Sequence, residues 1–305
     1  MSRSAAVSSC KRLHVFVSKC RCIFANLAFE EWLFRNHDIR NDGEAVLLWS
    51  NSPTVVIGRH QNPWMEANLT FLEKNRISLV RRHSGGGAVY HDLGNLNISI
   101  LTEQKQHNRP RNLTLIASGL NQYYNLNLMP NKRDDLLLGS EERKVSGTAA
   151  RIAHGRAYHH LTLLVHVDTS LLKAALGSVW KENITTNASR STPAKAVGYL
   201  NQDNSNITVE DLAEKIISIF KSQYSEYYVH SLTDIENDSR YPGVKENQLL
   251  LRSWEWNFGK SPKFSISTYH GTVSVESGFI VDCSFNTNLI STKVPYDLNK
   301  LYVTS

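Results

Sequence analysis

Cysteine is scarce: four occur in 305 residues, at positions 10, 20, 22 and 283. That spacing gives neither a disulfide framework nor a Cys-x-x-Cys metal pair, and the single residue between Cys20 and Cys22 is poor zinc geometry, so all four read as free thiols of a reducing compartment. No apolar run approaches the roughly 18 residues of a membrane-spanning helix, so no membrane role is expected. Acidic residues are missing from positions 1 to 29, where Arg3, Lys11, Arg12, Lys19 and Arg21 stand. Of the net charge of +6, five units lie in that leader, which leaves +1 for the rest. A nucleic-acid reader would need a basic face spread over the folded domain, and the charge is not there. Also absent are the Gly-Lys-Ser/Thr of a helix-opening phosphate loop and the Gly-x-Ser-x-Gly of a nucleophile elbow. His83, His91, His159 and His160 have no metal-ligand spacing with a third partner, so no metal is expected and these rings read as surface or hydrogen-bonded groups.

What is present centres on Arg81-Arg82-His83-Ser84-Gly85-Gly86-Gly87-Ala88-Val89-Tyr90-His91-Asp92-Leu93-Gly94-Asn95. Three successive glycines let a polyanion reach backbone N–H groups, and two arginines on the entering strand complement its charge. Ile77 to Val80 leads in and Leu96 to Ile100 leads out with apolar residues on alternate positions, the period of a half-buried strand. The glycines therefore join two strands. The competing reading is a glycine-rich hairpin that merely turns the chain.

The remaining pattern is that of an α/β chain. Leu13 to Val17 alternates like a first strand; Asn26 is a plausible N-cap for a helix to His37; Val46 to Trp49 and Thr54 to Ile57 read as strands. Pro63 suits the first turn of a helix through to Asn75, and Leu113, Ile116, Leu120 and Tyr123 define a helical face. Ala157 to Val167 pairs across Gly155 with Lys144 to His154, which puts His160 and Thr162 on one face and Lys144 near the sheet edge. Helices follow near Ser170 to Val179 and from Thr208 to Tyr224. Between them, 183–206 is a long Asn/Ser/Thr loop, of a length that is usually functional or disordered. From 226 the texture turns aromatic, with Trp254 and Trp256 alternating and strands at 264–267 and 273–281. The expected organisation is a leader over 1–12, a catalytic domain over 13–225 and a small accessory domain over 226–305.

Four ordered stretches carry a resemblance to one family. Arg81 to Asn95 resembles the signature loop of the lipoate-protein ligases and lipoyltransferases. Asn26-Leu27-Ala28-Phe29-Glu30-Glu31-Trp32 and Asn51 to Trp64 are similar to that family's opening helix and following strand, and Lys144-Val145-Ser146-Gly147-Thr148-Ala149 to its catalytic-lysine motif. The wording of Asn51 to Trp64 and of Trp254 to Phe264 is closest to the animal mitochondrial branch. The resemblance implies a mixed central sheet flanked by helices, the biotin/lipoate ligase-like catalytic domain, with a small C-terminal α/β accessory domain. The animal proteins continue well beyond the second tryptophan motif, so a truncated or divergent accessory domain is expected. Biotin ligases are a further relative, but Ser84-Gly85-Gly86-Gly87 departs from their glycine-arginine loop.

The resemblance further implies a transferase that holds lipoyl-AMP, a mixed anhydride, and passes the acyl group to a lysine of an acceptor. Lys144 would be catalytic, its ammonium steadying the phosphate oxygen and the acyl carbonyl; otherwise it is a surface lysine on a strand. Arg82, Gly85, Gly86, Gly87, Ala88, Val89, Tyr90 and Asn95 would line the adenylate, with Arg133 and Thr162 beside them. Thr192 and Ala194 resemble the adenylate-binding loop, against which stands the reading of a solvated linker. Acceptors would be lipoyl domains of 2-oxoacid dehydrogenase E2 subunits, and the donor lipoyl-AMP or a lipoylated carrier such as the glycine-cleavage H protein, with no tightly bound cofactor and a monomeric enzyme. Mg-ATP enters only if the chain also makes the adenylate from lipoate. The leader resembles a mitochondrial presequence and implies the matrix; the rival is a frayed basic tail.

Overall fold

The computed structural model describes residues 12–192, 194 and 196–302; positions 1–11, which hold nearly all of the expected leader, and Pro193 lie outside the described residues. β1 (Arg12–Ser18), β2 (Glu44–Trp49) and β3 (Thr54–Ile57) are joined by α1 (Ile23–Asn36) and a short loop. α2 (Pro63–Glu66) and α3 (Leu69–Lys74) precede β4 (Ser78–Arg81), β5 (Val89–His91) and β6 (Asn95–Glu103). α4 (Arg109–Tyr124), three short strands β7 (Leu128–Pro130), β8 (Leu136–Leu138) and β9 (Arg143–Lys144), then the hairpin of β10 (Ser146–Ala153) and β11 (Arg156–Leu164) follow. Next are α5 (Thr169–Leu176), β12 (Ile184–Thr186), α6 (Val209–Lys221), β13 (Glu226–Leu232), α7 (Val244–Arg252), β14 (Phe264–Thr268), β15 (Gly271–Glu276) and β16 (Phe279–Cys283).

A six-stranded mixed sheet in the order β10-β11-β6-β2-β1-β13 forms the middle layer. Its inner strand β2 is buried on both faces because helices cover both, which is why Val46-Leu47-Leu48-Trp49 reads as a continuous apolar run. Val46 and Leu48 face one side, with Leu13, Val15, Leu113, Ile116 and Ile216, under α4 and α6. Ala45, Leu47 and Trp49 face the other, with Phe16, Phe29, Leu33 and Leu251, under α1 and α7. At roughly 25 cal/mol per Å² of apolar area, these two interfaces supply most of the burial that holds the sheet.

Several local expectations change. α1 begins at Ile23 with Cys22 at its N-cap, so Asn26 is not a cap. Its side chain is fully buried: Oδ1 accepts from Ser18 Oγ at 2.6 Å, and Nδ2 donates to Asn51 Oδ1 at 2.9 Å. The helix expected from Pro63 to Asn75 is two, because Ala67 is extended and Asn68 caps a new start by accepting from Phe71 N. Thr208 caps α6 as its hydroxyl accepts from Asp211 N. The strand expected over 273–281 is a hairpin, since Ser277 and Gly278 both have positive φ, as a tight two-residue turn demands.

Residue 226 does not coincide with a break in the packing. β13 runs parallel to β1 along the large sheet, and β14 pairs with β12 from the long loop. One apolar cluster holds Trp64 and Val55 together with Phe258, Phe264 and Ile266. The tryptophan motif after α7 is spent on this junction: Trp256 Nε1 donates to Arg81 O at 2.7 Å, and Asn257 Oδ1 accepts from Arg81 N at 2.7 Å.

Candidate active site

The glycine loop connects β4 to β5, but these are not neighbours. β3 lies between them, parallel to β4 and antiparallel to β5. A hairpin would pair the two flanking strands, so the loop is a crossover that passes over the end of β3. Gly58, just past β3, takes the closest approach: a Cβ there would sit 2.1 Å from Gly86 O. Gly86 itself has φ +89, a conformation that L side chains rarely adopt.

The two arginines entering the loop are not free cations. Arg81 is fully buried and donates to the carbonyls of Arg59 (3.0 Å), Gln61 (2.7 Å), Trp256 (3.0 Å) and Asn257 (2.7 Å). Arg82 donates to Gly85 O at 2.5 Å, Gly87 O at 2.8 Å and Ser84 Oγ at 2.9 Å, so it braces the loop from beneath. Burial lowers both guanidinium pKa values to about 10. The expectation that both offer their charge to a ligand is therefore corrected: Arg81 is wholly structural, and most of Arg82's donors hold loop carbonyls.

Above the loop lies a cavity of about 370 Å³ that gathers Arg82, Gly86, Gly87, Ala88, Val89, Arg133, Lys144, Thr162 and Thr192. Gly85, Tyr90, Asn95 and Ala194 are not among its lining residues. Tyr90 points into the core, where burial raises its hydroxyl to about 12, and Asn95 Nδ2 donates to Tyr90 O at 3.1 Å to fix the turn into β6. Alternation along β5 explains this: Val89 and His91 face the cavity and Tyr90 faces away.

Lys144 stands on β9, two residues before the edge strand β10. Ser146 Oγ accepts from Leu136 N at 2.7 Å, and Thr148 Oγ1 donates to Asp134 O at 3.0 Å. These two bonds clamp the Lys-Val-Ser-Gly-Thr motif onto residues 134–136 and leave Asp135 Oδ1 2.7 Å from Lys144 Nζ. Gly147 lets Val89 pack closely, since a Cβ there would lie 3.1 Å from Val89 Cγ1. The long loop seals the other side. Ser191 Oγ accepts from Ala88 N at 2.7 Å and from Gln61 Nε2 at 3.0 Å, and Lys144 N donates to Ala196 O at 3.0 Å.

Beneath the cavity, His91 Nε2 meets Thr162 Oγ1 at 3.1 Å and its Nδ1 meets Asn51 Nδ2 at 3.1 Å. Thr162 Oγ1 donates to Asn97 Oδ1 at 2.8 Å, so the arrangement is that of a neutral ring with Nε2 protonated. Burial, with the Arg82 charge adding to it, lowers His91 to about 3. A second chain runs from Glu30 through His160, whose Nδ1 is 2.9 Å from Glu30 Oε1 and whose Nε2 is 3.0 Å from Ser84 Oγ. Burial acts to raise Glu30, but His160 and the Ser99 hydroxyl outweigh it and the carboxyl is held below its ordinary range. The surface alternative for these histidines is thus corrected: both rings are packed under the loop.

The lining divides by chemistry. Among the lining cations Arg82 is held by loop carbonyls, Arg109 pairs with Asp134 at 3.2 Å and Lys144 with Asp135, while Arg133 and Arg190 add further positive charge, so the cavity suits an anion. Leu27, Trp49, Val56, Ala149 and Leu161 give the cavity its apolar lining. Sequence reasoning missed Asp135 as the lysine's partner and Ser191 as the clasp; the adjoining Asp134-Asp135 pair and the Ser191-Thr192 step were the available signals.

The lipoyl protein ligase A/B catalytic domain matches residues 22–221. The mitochondrial lipoyl amidotransferase LIPT1 of Homo sapiens is 40% identical over 250 residues, 81% of this chain and 65% of that protein. The chain therefore spans just under two thirds of that relative. A lipoate-protein ligase A of Bdellovibrio bacteriovorus is 33% identical over 301 residues, covering 95% of this chain and 87% of the other. Among solved structures, LipL1 of P. falciparum in complex with lipoate superposes with a TM-score of 0.69 at 26% identity, covering 88% of this chain and 82% of that one.

Proposed function

This chain belongs to the lipoyl protein ligase A/B catalytic-domain family, and from that membership we propose that it transfers a lipoyl group from lipoyl-AMP to the lysine of an acceptor protein. The observation that carries the reading is the convergence of Lys144, the glycine loop and an apolar wall on one cavity. An acyl-adenylate needs three things of its host: neutralisation of one phosphate, cover for an eight-carbon chain, and support for the oxyanion formed when an amine attacks the carbonyl. Arg133 serves the first, with the N–H groups of the glycine loop. Trp49, Val56 and Leu161 serve the second. Lys144, oriented by Asp135, serves the third, a stabilisation worth several kcal/mol where water is excluded. The amine nitrogen bonds to the carbonyl carbon as the acyl–oxygen bond to AMP breaks; AMP leaves with that electron pair, the nitrogen sheds a proton to solvent, and the product is an amide.

The Ala88 N–H is taken by Ser191 Oγ, so the loop amides that serve the phosphate are those of the glycines. Acceptors are lipoyl domains of E2 subunits, a lipoylated carrier such as the glycine-cleavage H protein is the alternative donor, the site of action is the mitochondrial matrix, and the enzyme works as a monomer without a resident cofactor. The test is to incubate the protein with an apo acceptor domain, supplying lipoyl-AMP in one tube and lipoate with MgATP in another, and to weigh the acceptor. Modification in the first tube alone supports a transferase; modification in both makes the chain a complete ligase; modification in neither removes the reading.

A further inference from the structure

Away from the cavity, the turn from β1 into α1 holds two thiols, Cys20 and Cys22, both part-exposed. Cys22 N donates to Cys20 Sγ at 3.4 Å, which sets the two thiols side by side. Cys22 is the N-cap of the 14-residue α1, where the aligned peptide dipoles favour an anion. α7 packs on α1 and adds donors from the other side: Arg252 Nη2 lies 3.2 Å from Cys22 Sγ and Gln248 Nε2 3.8 Å from it. Arg252 is held in place by its stacking over the Phe24 ring at 4.3 Å. The nearby acid, Glu236, is engaged by Gln248 Nε2 at 2.7 Å and bears on Cys20. The side-chain donors of α7 thus converge on the Cys22 sulfur. Interaction with Cys20, with help from the Arg252 charge, lowers Cys22, and the same interaction raises Cys20.

We propose that Cys22 and Cys20 are a peroxide-sensitive thiol pair, in which Cys22 is the attacking sulfur and Cys20 the resolving one. The Cys22 thiolate attacks one oxygen of a hydroperoxide; the S–O bond forms, the O–O bond breaks, and the leaving oxygen takes a proton as the alcohol or water. Cys22 is oxidised by two electrons to the sulfenic acid. The Cys20 sulfur then attacks Cys22, a disulfide forms, and hydroxide departs with the Cys20 proton as water.

The experiment uses the full chain in a Cys10→Ser, Cys283→Ser background. Iodoacetamide at neutral pH, read by peptide mass, should label Cys22 at least about tenfold faster than Cys20, as expected of a thiolate beside a thiol. Trypsin cuts after Arg21, so hydrogen peroxide should yield two peptides joined by a bond that dithiothreitol releases. In Cys20→Ser, peroxide with dimedone should instead leave the dimedone adduct on Cys22. Arg252→Gln should slow alkylation of Cys22 several-fold while that of Cys20 is unchanged. Equal labelling of the two thiols in the unsubstituted chain, or peroxide treatment that never joins the two peptides, would overturn the proposal; the first of these needs no variant to fold.

Discussion

Lys144 Nζ lies 2.7 Å from Asp135 Oδ1, a carboxylate on the residue that precedes β8. The pairing follows from Ser146 and Thr148, whose hydroxyls fasten the lysine motif to Leu136 N and Asp134 O. Asp135→Asn keeps the shape and removes the charge that aims the ammonium, so acyl transfer should fall by about tenfold or more with the fold intact. Ser146→Ala leaves Leu136 N buried without an acceptor and should cost about 1–3 kcal/mol of stability besides. Denaturant melts beside single-turnover rates separate the two. An Asp135→Asn protein as fast as the wild type would release this carboxylate from any role.

Neighbouring glycines should behave differently. A Cβ on Gly86 would lie 2.8 Å from Arg82 Nη2 and 3.2 Å from the Ala149 methyl, on a backbone with φ +89. Gly85 meets nothing within 4 Å. Gly86→Ala should therefore destabilise the ligand-free protein by about 1–3 kcal/mol, while Gly85→Ala should stay within about 0.5 kcal/mol. Urea unfolding of the two variants checks this, and equal midpoints would contradict the loop geometry.

Acid should unfold the protein through histidines buried neutral. His91 and His159 each have their pKa lowered to about 3 by burial. The unfolded value is near 6.5, so between those limits only the unfolded chain binds the proton. Stability is then complete above about pH 6.5 and declines as pH falls toward 3, at up to about 1.4 kcal/mol per pH unit for each ring. His91→Gln should flatten the curve over that window. An unchanged slope would mean that His91 titrates freely.

Arg81 should be intolerant even of lysine. Its guanidinium serves acceptors on both 59–61 and 256–261, and three ammonium donors cannot span them. Arg81→Lys should cost about 3–5 kcal/mol, whereas Trp256→Phe, which forgoes only the bond to Arg81 O, should cost about 1 kcal/mol beyond its packing loss. Thermal melts of both report it.

The layer of strands and helices was legible because period and composition act locally. Val46 to Trp49, the β10–β11 hairpin and the Thr208 cap needed only their own side chains. What escaped was set by distant partners. Asn26 looked like a cap until Ser18 and Asn51 enclosed it. Arg81 and Arg82 looked like ligand cations, because a sequence shows a charge but not the carbonyls that consume it. A texture change at 226 suggested a seam, yet β13 pairs with β1, more than two hundred residues away in sequence. Lys144 could be singled out by its motif; its partner Asp135 and the clasp Ser191 could not, since both depend on how two loops meet.

The reading of the cavity rests on Lys144 acting on the reacting carbonyl and not merely lining a wall. The direct measurement is single-turnover transfer from lipoyl-AMP to an apo acceptor by Lys144→Ala, with binding of a non-hydrolysable lipoyl-AMP analogue followed by calorimetry on the same sample. Transfer should fall by about 10²–10³-fold, the loss typical of one oxyanion donor, while the protein stays folded and the analogue still binds. A folded Lys144→Ala protein that transfers the lipoyl group at the wild-type rate would contradict it.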